Sequence, residues 1–474
     1  MKTSKSRPNP GLALVCATII LALAVCAQAQ TVTNLADFNG NDGYFPQGAV
    51  VQATDGNFYG VTENGGVNRS GNVFKLTPAG KLSSFYDFCS TPNCADGADP
   101  RSGPIVGSDG NFYGVVYGGG NAGQGTFYKM TMRGKLTTLY TFCTTSSCLD
   151  GSSPGGIIQA SDGNFYGTTA YGGNFNGGTI FEISSAGKFK LLYTFCAQAN
   201  CADGKFPYFP PIQASNGSLY GATTYGGTSG YGVVYEITPA GKYKVIHSFC
   251  YACIEGWVPT TIVQDANGNF FGTTSNGGDF NYGTVFEITS SNQYVVLHSF
   301  NNTDGAWPVA GLTVASDGNL YGMTWGGGAT GNGAIFQITP AGVFTSIYSF
   351  CDLSCGTGTV PDGWLFQATN GTIYGTTTGG ENLVPGNVFS LSNNLSPMVK
   401  TVPVAGRVGE RVIILGSGLT GSSNVTFNGT PAAFRVASDT EITTTVPTGA
   451  TSGAVSVVTA AGTLNSNPAF QITK

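Results

Sequence analysis

The chain has 474 residues, of which 72 are glycine and only 9% are charged, and its formal net charge is −5. This length suits several ordinary domains, or one large repeat domain with a smaller neighbour. No stretch is rich in Lys or Arg, and binding to nucleic acid needs such a basic surface. The composition therefore argues against a nucleic-acid partner.

The amino terminus has the pattern of a secretory signal peptide. Basic residues in the first seven positions precede an apolar run over 11–25, and Ala27-Gln28-Ala29 follows as a small-x-small cleavage signal. We predict that 1–29 is a signal peptide and that the protein is secreted, periplasmic or held at the cell surface. Lipidation at Cys26 is an alternative that Val25 disfavours. No later run reaches 18 apolar residues, so we expect no membrane span in the mature chain.

The rest of the chain is organised by a repeated motif of the type Asp-Gly-Asn-Phe-Tyr-Gly. It returns every 50 to 54 residues, which is the signature of a repeat architecture. Its first position is occupied by Asp55, Asp109, Asp162, Asn216, Asn267, Asp317 and Asn370.

One repeat predicts four short strands, at 156–160, 164–169, 179–183 and 189–195. Asp162-Gly163 joins the first two as a two-residue hairpin turn, and we expect both residues to need positive φ angles. In most repeats a Pro-Ala-Gly or similar turn joins the last two strands, with Gly in the left-handed conformation. Four hairpin-linked strands per repeat, without helical periodicity, are typical of a β-propeller blade.

Counting the strands predicts an all-β fold in which 31–392 forms a seven-bladed β-propeller. The last repeat ends after Val388–Leu391 without a fourth strand, whereas Val32–Phe38 is a fourth-strand sequence that precedes every repeat. We expect the N-terminal strand to complete the C-terminal blade, because this closure leaves no exposed sheet edge there.

Ten cysteines beyond the leader fall into five close pairs. The even number and the export signal predict local disulfides that pin the loops between blades. Zinc is the alternative, but it needs four converging ligands and the chain has only two histidines. The predicted pairs are Cys89/Cys94, Cys143/Cys148, Cys196/Cys201, Cys250/Cys253 and Cys351/Cys355.

Aromatic residues mark the loops that vary between repeats, which should all lie on one face of the propeller. Variable loops on a rigid scaffold commonly carry binding residues, and aromatic rings on a charge-poor face suit sugar rings or a protein partner. Packing between blades is the alternative role. The candidate ligand-binding residues are Tyr44, Tyr117, Tyr171, Phe206, Tyr225, Trp257, Trp307, Trp325 and Trp364.

Catalytic chemistry has weaker support in the sequence. His247 and His298 replace a tyrosine of other repeats, which favours packing with a polar tip over a role as base. An acidic residue recurs before each inter-blade proline except the last, as expected of a turn former. The charges that break the repeat pattern on the variable face do not visibly converge; Asp99 and Asp279 are the carboxylates we would test first. These charges are Glu63, Arg69, Asp99, Arg101, Lys205, Asp279 and Glu381.

The repeats at 31–391 resemble the GloVer (Gloeo-Verruco repeat) family of exported bacterial proteins. The resemblance rests on Asp-Gly-Asn-Phe-Tyr-Gly-x-Thr, the following Gly-Gly, and Phe-x-Ile-Thr-Pro-Ala-Gly-Lys. This resemblance implies no catalytic residues for the present chain.

After a linker at 393–396, the segment 397–474 alternates polar and apolar residues as a small β-sandwich does. It resembles the IPT/TIG immunoglobulin-like domain through Gly416-Ser417-Gly418-Leu419 and the later Asp-Thr and Val-Pro steps.

The sequence predicts an exported, non-catalytic binding or cell-surface module that recognises carbohydrate or protein through the variable face. The alternative is a carbohydrate-active enzyme, either a glycoside hydrolase or a lyase, and a purely structural surface protein is a third reading. We expect a monomer with no cofactor and no metal; the candidate partners are a polysaccharide or a surface protein.

Overall fold

The structure is a computed structural model that describes residues 30–251, 253–351, 358–379 and 385–473. The predicted signal peptide lies outside the described residues. Within them, the repeat region forms seven four-stranded antiparallel sheets, numbered here from sheet 1 to sheet 7 in chain order. The described part of the chain is all-β, and the helical turns within it are short 3-10 turns such as Pro92–Cys94 and Ala199–Cys201 between strands.

The strands of the first four sheets follow one another along the chain, after a first strand, β1 (Thr31–Asp37), that belongs to sheet 7. They are, for sheets 1 and 2, β2 (Tyr44–Gln52), β3 (Phe58–Asn64), β4 (Asn72–Leu76), β5 (Leu82–Asp87), β6 (Ile105–Val106), β7 (Phe112–Val116), β8 (Thr126–Met130) and β9 (Leu136–Thr141). For sheets 3 and 4 they are β10 (Ser152–Gln159), β11 (Phe165–Tyr171), β12 (Thr179–Ile183), β13 (Phe189–Thr194), β14 (Ile212–Gln213), β15 (Leu219–Thr223), β16 (Val233–Ile237) and β17 (Tyr243–Ser248).

The last three sheets repeat the pattern. Sheets 5 and 6 contain β18 (Trp257–Gln264), β19 (Phe270–Asn276), β20 (Thr284–Ile288), β21 (Tyr294–Ser299), β22 (Thr313–Val314), β23 (Leu320–Thr324), β24 (Ala334–Ile338) and β25 (Phe344–Ser349). Sheet 7 contains β26 (Phe366–Gln367), β27 (Ile373–Thr377) and β28 (Asn387–Ser392).

The amino-terminal strand completes sheet 7, as predicted. β1 pairs antiparallel with β28, with Thr31 opposite Ser392 and Asp37 opposite Asn387. Sheet 7 therefore joins the first and last strands of the repeat region, so that β28 is paired on both sides, with β1 and with β27.

Seven apolar clusters join each sheet to the next, and the last joins sheet 7 to sheet 1. At this closure Phe58 and Tyr374 pack with ring centroids 4.3 Å apart. The backbone N–H of Thr369 also donates to Gln52 Oε1 at 3.0 Å. The sheets therefore form a closed ring, and the all-β propeller fold is confirmed.

The Asp-Gly turn between the first two strands of each sheet differs from the prediction. Gly56 has a φ of +76°, but Asp55 is not among the residues with positive φ. Asp55 acts through its side chain: Oδ1 accepts the N–H of Asn57 at 3.1 Å, and Oδ2 accepts the hydroxyl of Tyr59 at 2.9 Å. The predicted two-residue turn and its left-handed aspartate are both wrong. The N–H of Ala53 donates to Asn57 O at 3.0 Å, so the loop has three residues between this pair and Gly56 alone is left-handed. The place of Asp55 is explained by its hydrogen bonds across the turn.

A left-handed residue precedes the inter-blade proline in every sheet. The N–H of such a residue donates to a loop of the preceding sheet, as Phe206 does to Gly177 O at 2.8 Å and Trp307 to Tyr282 O at 2.8 Å. Because left-handed backbone is strained for residues other than glycine, these contacts must hold it in place. We call these residues the pre-proline positions; their φ angles lie between 52° and 60°, and they are Phe45, Asp99, Ser153, Phe206, Val258, Trp307 and Val360.

The recurring acidic residue of the inter-blade loop also ties that loop to the outer strand. Asp203 is fully buried and accepts the Tyr193 hydroxyl at 2.8 Å and the N–H groups of Ala197 and Gln198 at 2.9 and 3.2 Å. Where histidine replaces tyrosine, His298 Nε2 lies 3.1 Å from the carboxylate of Asp304.

His247 makes the matching contact with Glu255 at 3.2 Å. Burial lowers the pKa of both His247 and His298, and the neighbouring carboxylates only partly offset this. Both rings stack on an aromatic residue of the next sheet. The ring centroids of His298 and Phe344, for example, lie 3.7 Å apart. The histidines therefore pack with a polar tip.

Four of the predicted cysteine pairs are disulfides in the inter-blade loops, and the fifth includes Cys355, which lies outside the described residues. The four are Cys89–Cys94, Cys143–Cys148, Cys196–Cys201 and Cys250–Cys253.

The carboxy-terminal segment is a β-sandwich with its own core. Its two four-stranded sheets are accompanied by a short parallel pair, β30 with β38. Its strands are β29 (Lys400–Val402), β30 (Ala405–Gly406), β31 (Arg411–Leu415), β32 (Asn424–Phe427), β33 (Thr430–Pro431), β34 (Phe434–Ser438), β35 (Glu441–Thr445), β36 (Val455–Thr459), β37 (Gly462–Asn465) and β38 (Gln471–Ile472).

This sandwich packs against the face of the ring that carries the Asp-Gly turns. Thr440 Oγ1 donates to Thr54 O at 2.6 Å, and Asn467 Nδ2 donates to Val314 O at 3.1 Å. Val402 packs against the apolar cluster between sheets 1 and 2. The variable loops therefore lie on the opposite, uncovered face.

Candidate functional site

A cavity of about 470 Å³ lies where the innermost strands begin, on the side of the variable loops. Sheets 1, 2, 3, 4, 6 and 7 all contribute to its wall, so it lies at the centre of the ring. We call it the axial cavity. A largely apolar wall with a few polar groups is the usual form of a small-molecule site. The apolar lining residues include Val51, Ile105, Ile158, Tyr208, Phe209, Trp364 and Phe366.

Trp364 reaches across the ring inside this cavity. Its ring centroid lies 6.1 Å from that of Phe209, although the two residues belong to sheets 7 and 4, on opposite sides of the ring. The Trp364 backbone lies beside sheet 1, where Ala49 forms a bridge with it. The indole therefore offers a flat apolar surface at the centre of the fold.

Charged side chains from different sheets meet at the mouth of the axial cavity. Arg101 forms an ion pair with Glu63 at 2.7 Å and lies over the ring of Tyr117, 4.0 Å from its centroid. Gln47 donates to the second oxygen of Glu63 at 2.9 Å. Repeat-breaking charges that are scattered along the sequence thus converge here.

Two further carboxylates near the mouth are held in surroundings that favour the protonated form. Burial raises the pKa of Asp362, and the negative charge of Glu63 raises it further. Burial also raises the pKa of Asp99, although Arg101 acts in the opposite direction. Within the described residues, neither carboxylate accepts a hydrogen bond from a side chain, so both retain acceptor oxygens for a ligand.

Aromatic rings extend from the cavity mouth across sheets 3 and 4. Phe206 contacts Tyr171 and Tyr225, with ring centroids 5.4 and 6.2 Å apart. The hydroxyls of Tyr171 and Tyr208 lie 3.0 Å apart. We call Tyr171, Phe206, Tyr208 and Tyr225 the aromatic band. Tyr225 is 41% exposed, so the band reaches from the cavity to the outer surface.

The other candidate aromatics do not line the axial cavity. Trp307 packs between Tyr282 and Trp325, with centroid distances of 5.7 and 6.0 Å. Trp257 packs in the same manner against Tyr231 of the neighbouring sheet, with ring centroids 5.5 Å apart. The contacts with Tyr282 and Tyr231 join neighbouring sheets, whereas Trp307 and Trp325 contact each other within sheet 6. Packing was the alternative role that the sequence left open for these residues.

The remaining candidates are dispersed around the face. Tyr44 stacks edge-on against Phe45 at 5.4 Å. Lys205 lies over the ring of Phe206 at 5.4 Å, beside the aromatic band. Asp279 and Arg69 lie on loops and do not line the axial cavity, and Glu381 lies outside the described residues.

One residue of the carboxy-terminal sandwich contacts a residue that lines the axial cavity. Lys400, the first residue of β29, has its Nζ 3.5 Å from the ring centroid of Phe366, and Phe366 lines the cavity. Burial lowers the pKa of Lys400 to about 7. A cation of the second domain thus lies against the wall of a cavity formed by the first.

Sequence reasoning missed Gln47, Tyr208, Phe209, Asp362 and Lys400. The first four lie within a few residues of an inter-blade proline, and that position in the sequence is the signal that marks them. Lys400 had no such signal, because its place depends on how the sandwich packs against the ring.

Two other features are absent from the described residues. No group of three or more His, Cys, Asp or Glu side chains there is arranged to hold a metal ion. No helix in the same residues is long and apolar enough to span a membrane.

Several solved structures match this chain at low similarity. A putative gluconolactonase is 11% identical, with a TM-score of 0.41, over 78% of this chain and 94% of that one. A putative 6-phosphogluconolactonase from Bacteroides uniformis is 13% identical, with a TM-score of 0.42, over 63% and 83%. A protein of unknown function from Bacteroides thetaiotaomicron is 11% identical, with a TM-score of 0.42, over 77% and 76%. Comparison with curated proteins finds no match.

Family models match nearly all of the chain beyond the predicted signal peptide. The IPT/TIG domain model matches residues 393–472, where the structure has its sandwich. The Gloeobacter/Verrucomicrobia repeat model matches twice, over 23–209 and 196–389. The chain therefore belongs to the Gloeobacter/Verrucomicrobia repeat family, with an IPT/TIG domain at its carboxy-terminal side.

Proposed function

We propose that this protein is an exported, non-catalytic carbohydrate-binding module that takes the end of a saccharide chain into the axial cavity. The observation that carries the proposal is the run of aromatic side chains from Trp364, inside the cavity, through its ring neighbour Phe209 to the adjacent Tyr208 and the rest of the aromatic band. Flat aromatic rings suit the apolar faces of sugar rings. At the mouth, Arg101 and Asp362 supply polar atoms that fix the orientation of a ligand.

Disulfides in the loops around this face suit a protein that works outside the cytoplasm. They hold the loops near fixed positions before a ligand arrives. Ordering flexible loops on binding opposes affinity, so a pre-ordered face binds more tightly for the same contacts.

The proposal is tested by titrating oligosaccharides of increasing length into residues 30–474 and measuring heat. We expect Trp364→Ala to weaken binding of every saccharide by about tenfold or more, since stacking on an aromatic ring contributes about 1–1.5 kcal/mol. Phe206→Ala should weaken only the longer oligosaccharides, because Phe206 lies outside the cavity. Phe280→Ala is the control, since this ring is 57% exposed on a loop of sheet 5. A glycan array on which no saccharide binds would refute the proposal and leave a protein partner.

The raised pKa values of Asp362 and Asp99 favour one second candidate, a glycoside hydrolase or lyase. General acid catalysis uses a carboxyl group whose pKa is raised above its ordinary value. Reducing-end assays on polysaccharides test this, with Asp362→Asn and Asp99→Asn as the variants. Asp279→Asn is the control because Asp279 does not line the cavity. Turnover that survives both test variants would remove these carboxylates from the chemistry.

A further inference from the structure

Asp362 lines the axial cavity and has no partner of opposite charge in the part of the chain that the structure describes. Asp362 and Arg101 are the charged residues among the described ones that line this cavity. Arg101 is already paired with Glu63, whereas Asp362 forms no ion pair there and accepts no hydrogen bond from a side chain. The uncompensated charge of the described cavity wall is therefore negative.

The surroundings of Asp362 add negative charge. The bridge between Trp364 and Ala49 is parallel, which places Asp362 beside Gln47 of sheet 1. Gln47 donates to Glu63 at 2.9 Å, so the two carboxylates belong to neighbouring sheets at one edge of the cavity. Burial and the charge of Glu63 both raise the pKa of Asp362. A cation that entered the cavity would offset this repulsion.

The aromatic wall beside Asp362 also favours a cation. The face of an aromatic ring attracts ammonium groups, and tryptophan attracts them most strongly. Trp364 and Tyr208 line the same cavity as Asp362. Arg101 makes such a contact at the mouth, with its guanidinium carbon 4.0 Å from the centroid of the Tyr117 ring. An ammonium group has three N–H donors and no acceptor, which complements a carboxylate that has only acceptors.

A neutral saccharide would leave the charge of this wall unpaired. Its hydroxyls can donate to Asp362, but they bring no positive charge, and a charge removed from water is unfavourable unless it is paired. An amine on the sugar supplies both the donors and the charge. The sugar ring keeps its apolar face for contact with Trp364.

We propose that the axial cavity binds an amino sugar, or an oligosaccharide ending in one, with its ammonium group at the carboxylate of Asp362. The inference rests on the proposed carbohydrate-binding function and narrows its ligand class. Asp362 then selects for charge, and Trp364 contacts the sugar ring.

The experiment uses three series of oligosaccharides that share one backbone and differ in the group on the second carbon of each sugar. Cello-oligosaccharides carry a hydroxyl there, chitin oligosaccharides an acetamide and chitosan oligosaccharides an amine. Each series is titrated into residues 30–474 and followed by calorimetry. A hydrogen bond to a charged group corresponds to about 10- to 100-fold in affinity. We expect the amine series to bind more tightly than the other two by that factor.

Asp362→Asn keeps the shape of the side chain and removes its charge. It should weaken the amine series by about 10- to 100-fold and the neutral series by much less, because the amide still forms hydrogen bonds. Asp279→Asn is the matched control, since it removes one negative charge from an exposed residue that does not line the cavity. The melting temperature of each variant reports folding, and the comparison of the three series on the native protein needs no variant.

The outcomes separate this inference from the proposed function. Equal affinities for the three series, or a preference for the amine that survives Asp362→Asn, would refute the amino sugar while supporting carbohydrate binding. If none of the three series binds although other glycans on the array do, the amino sugar is again refuted and the proposed function stands. An array without any bound glycan would overturn both.

Discussion

Replacing Lys400 with methionine should make the protein more stable and remove a rise of stability with pH. The folded-state pKa of Lys400 is about 7, against 10.5 for the free side chain. The unfolded chain therefore binds the extra proton between these two values, so stability is lowest below pH 7 and rises as the pH approaches 10.5. Methionine has a similar length and no charge.

The size of the effect follows from the two pKa values. One pKa unit corresponds to about 1.4 kcal/mol, so the penalty at pH 7 is about 4 kcal/mol and falls to about 1 kcal/mol at pH 9.5. Between pH 7 and 9.5, the free energy of unfolding of the native protein should therefore rise by about 3 kcal/mol relative to that of Lys400→Met. Other groups titrate equally in both proteins, so the difference between them isolates Lys400.

The assay is urea denaturation of both proteins at intervals between pH 7 and 9.5, with the disulfides oxidised. Lys188→Met serves as the control, because Lys188 is exposed and should follow the native curve. Parallel curves for the native protein and Lys400→Met would show that Lys400 keeps its ordinary pKa. The burial of its amine, on which this reasoning depends, would then be wrong.

Two further predictions concern the loops between sheets. Asp203→Ala should lower the free energy of unfolding by about 3 kcal/mol, since three part-buried donors lose a charged acceptor and each such hydrogen bond contributes about 1 kcal/mol. Tyr193→Phe should lower it by only about 1 kcal/mol, and equal losses in urea titrations would contradict the shared-acceptor model. His247 and His298 have lowered pKa values, so the unfolded chain binds more protons and stability should fall as the pH drops below about 6.5. The double variant His247→Gln/His298→Gln should have a flatter melting-temperature profile between pH 7 and 5, and an unchanged profile would refute this role.

The sequence predicted those features that repeat. Strand periodicity and turn chemistry are local, so the four strands of each sheet and the closure by β1 could be read from spacing alone. The prediction of Thr179–Ile183 matches β12 to the residue. The position of the Asp-Gly turn was predicted correctly, but its two-residue type was wrong. Asp and Asn both tolerate positive φ and both accept hydrogen bonds across a turn, so the residue type does not tell the two turn types apart.

The candidate site was only partly predictable, since its members do not repeat. Glu63, Arg101 and Asp362 come from three sheets, and their convergence depends on loop conformations that have no periodic signal. Tyr117 and Trp364 were selected as aromatic residues near loops, and both line the axial cavity. Trp307 and Trp325 were selected by the same criterion but pack against each other. Residue type and spacing therefore cannot separate a lining residue from a packed one.

The pre-proline positions have a consequence for how this fold acquires new partners. The same strained backbone recurs seven times and carries Phe45, Asp99, Ser153, Phe206 and other side chains of quite different chemistry. The main chain at these positions is held by hydrogen bonds to the preceding sheet, so its conformation does not depend on which side chain the residue carries. Mutation at these sites can thus exchange an acid for an aromatic ring around the opening without redesigning any loop, so related proteins of the family could diverge in specificity while keeping one scaffold.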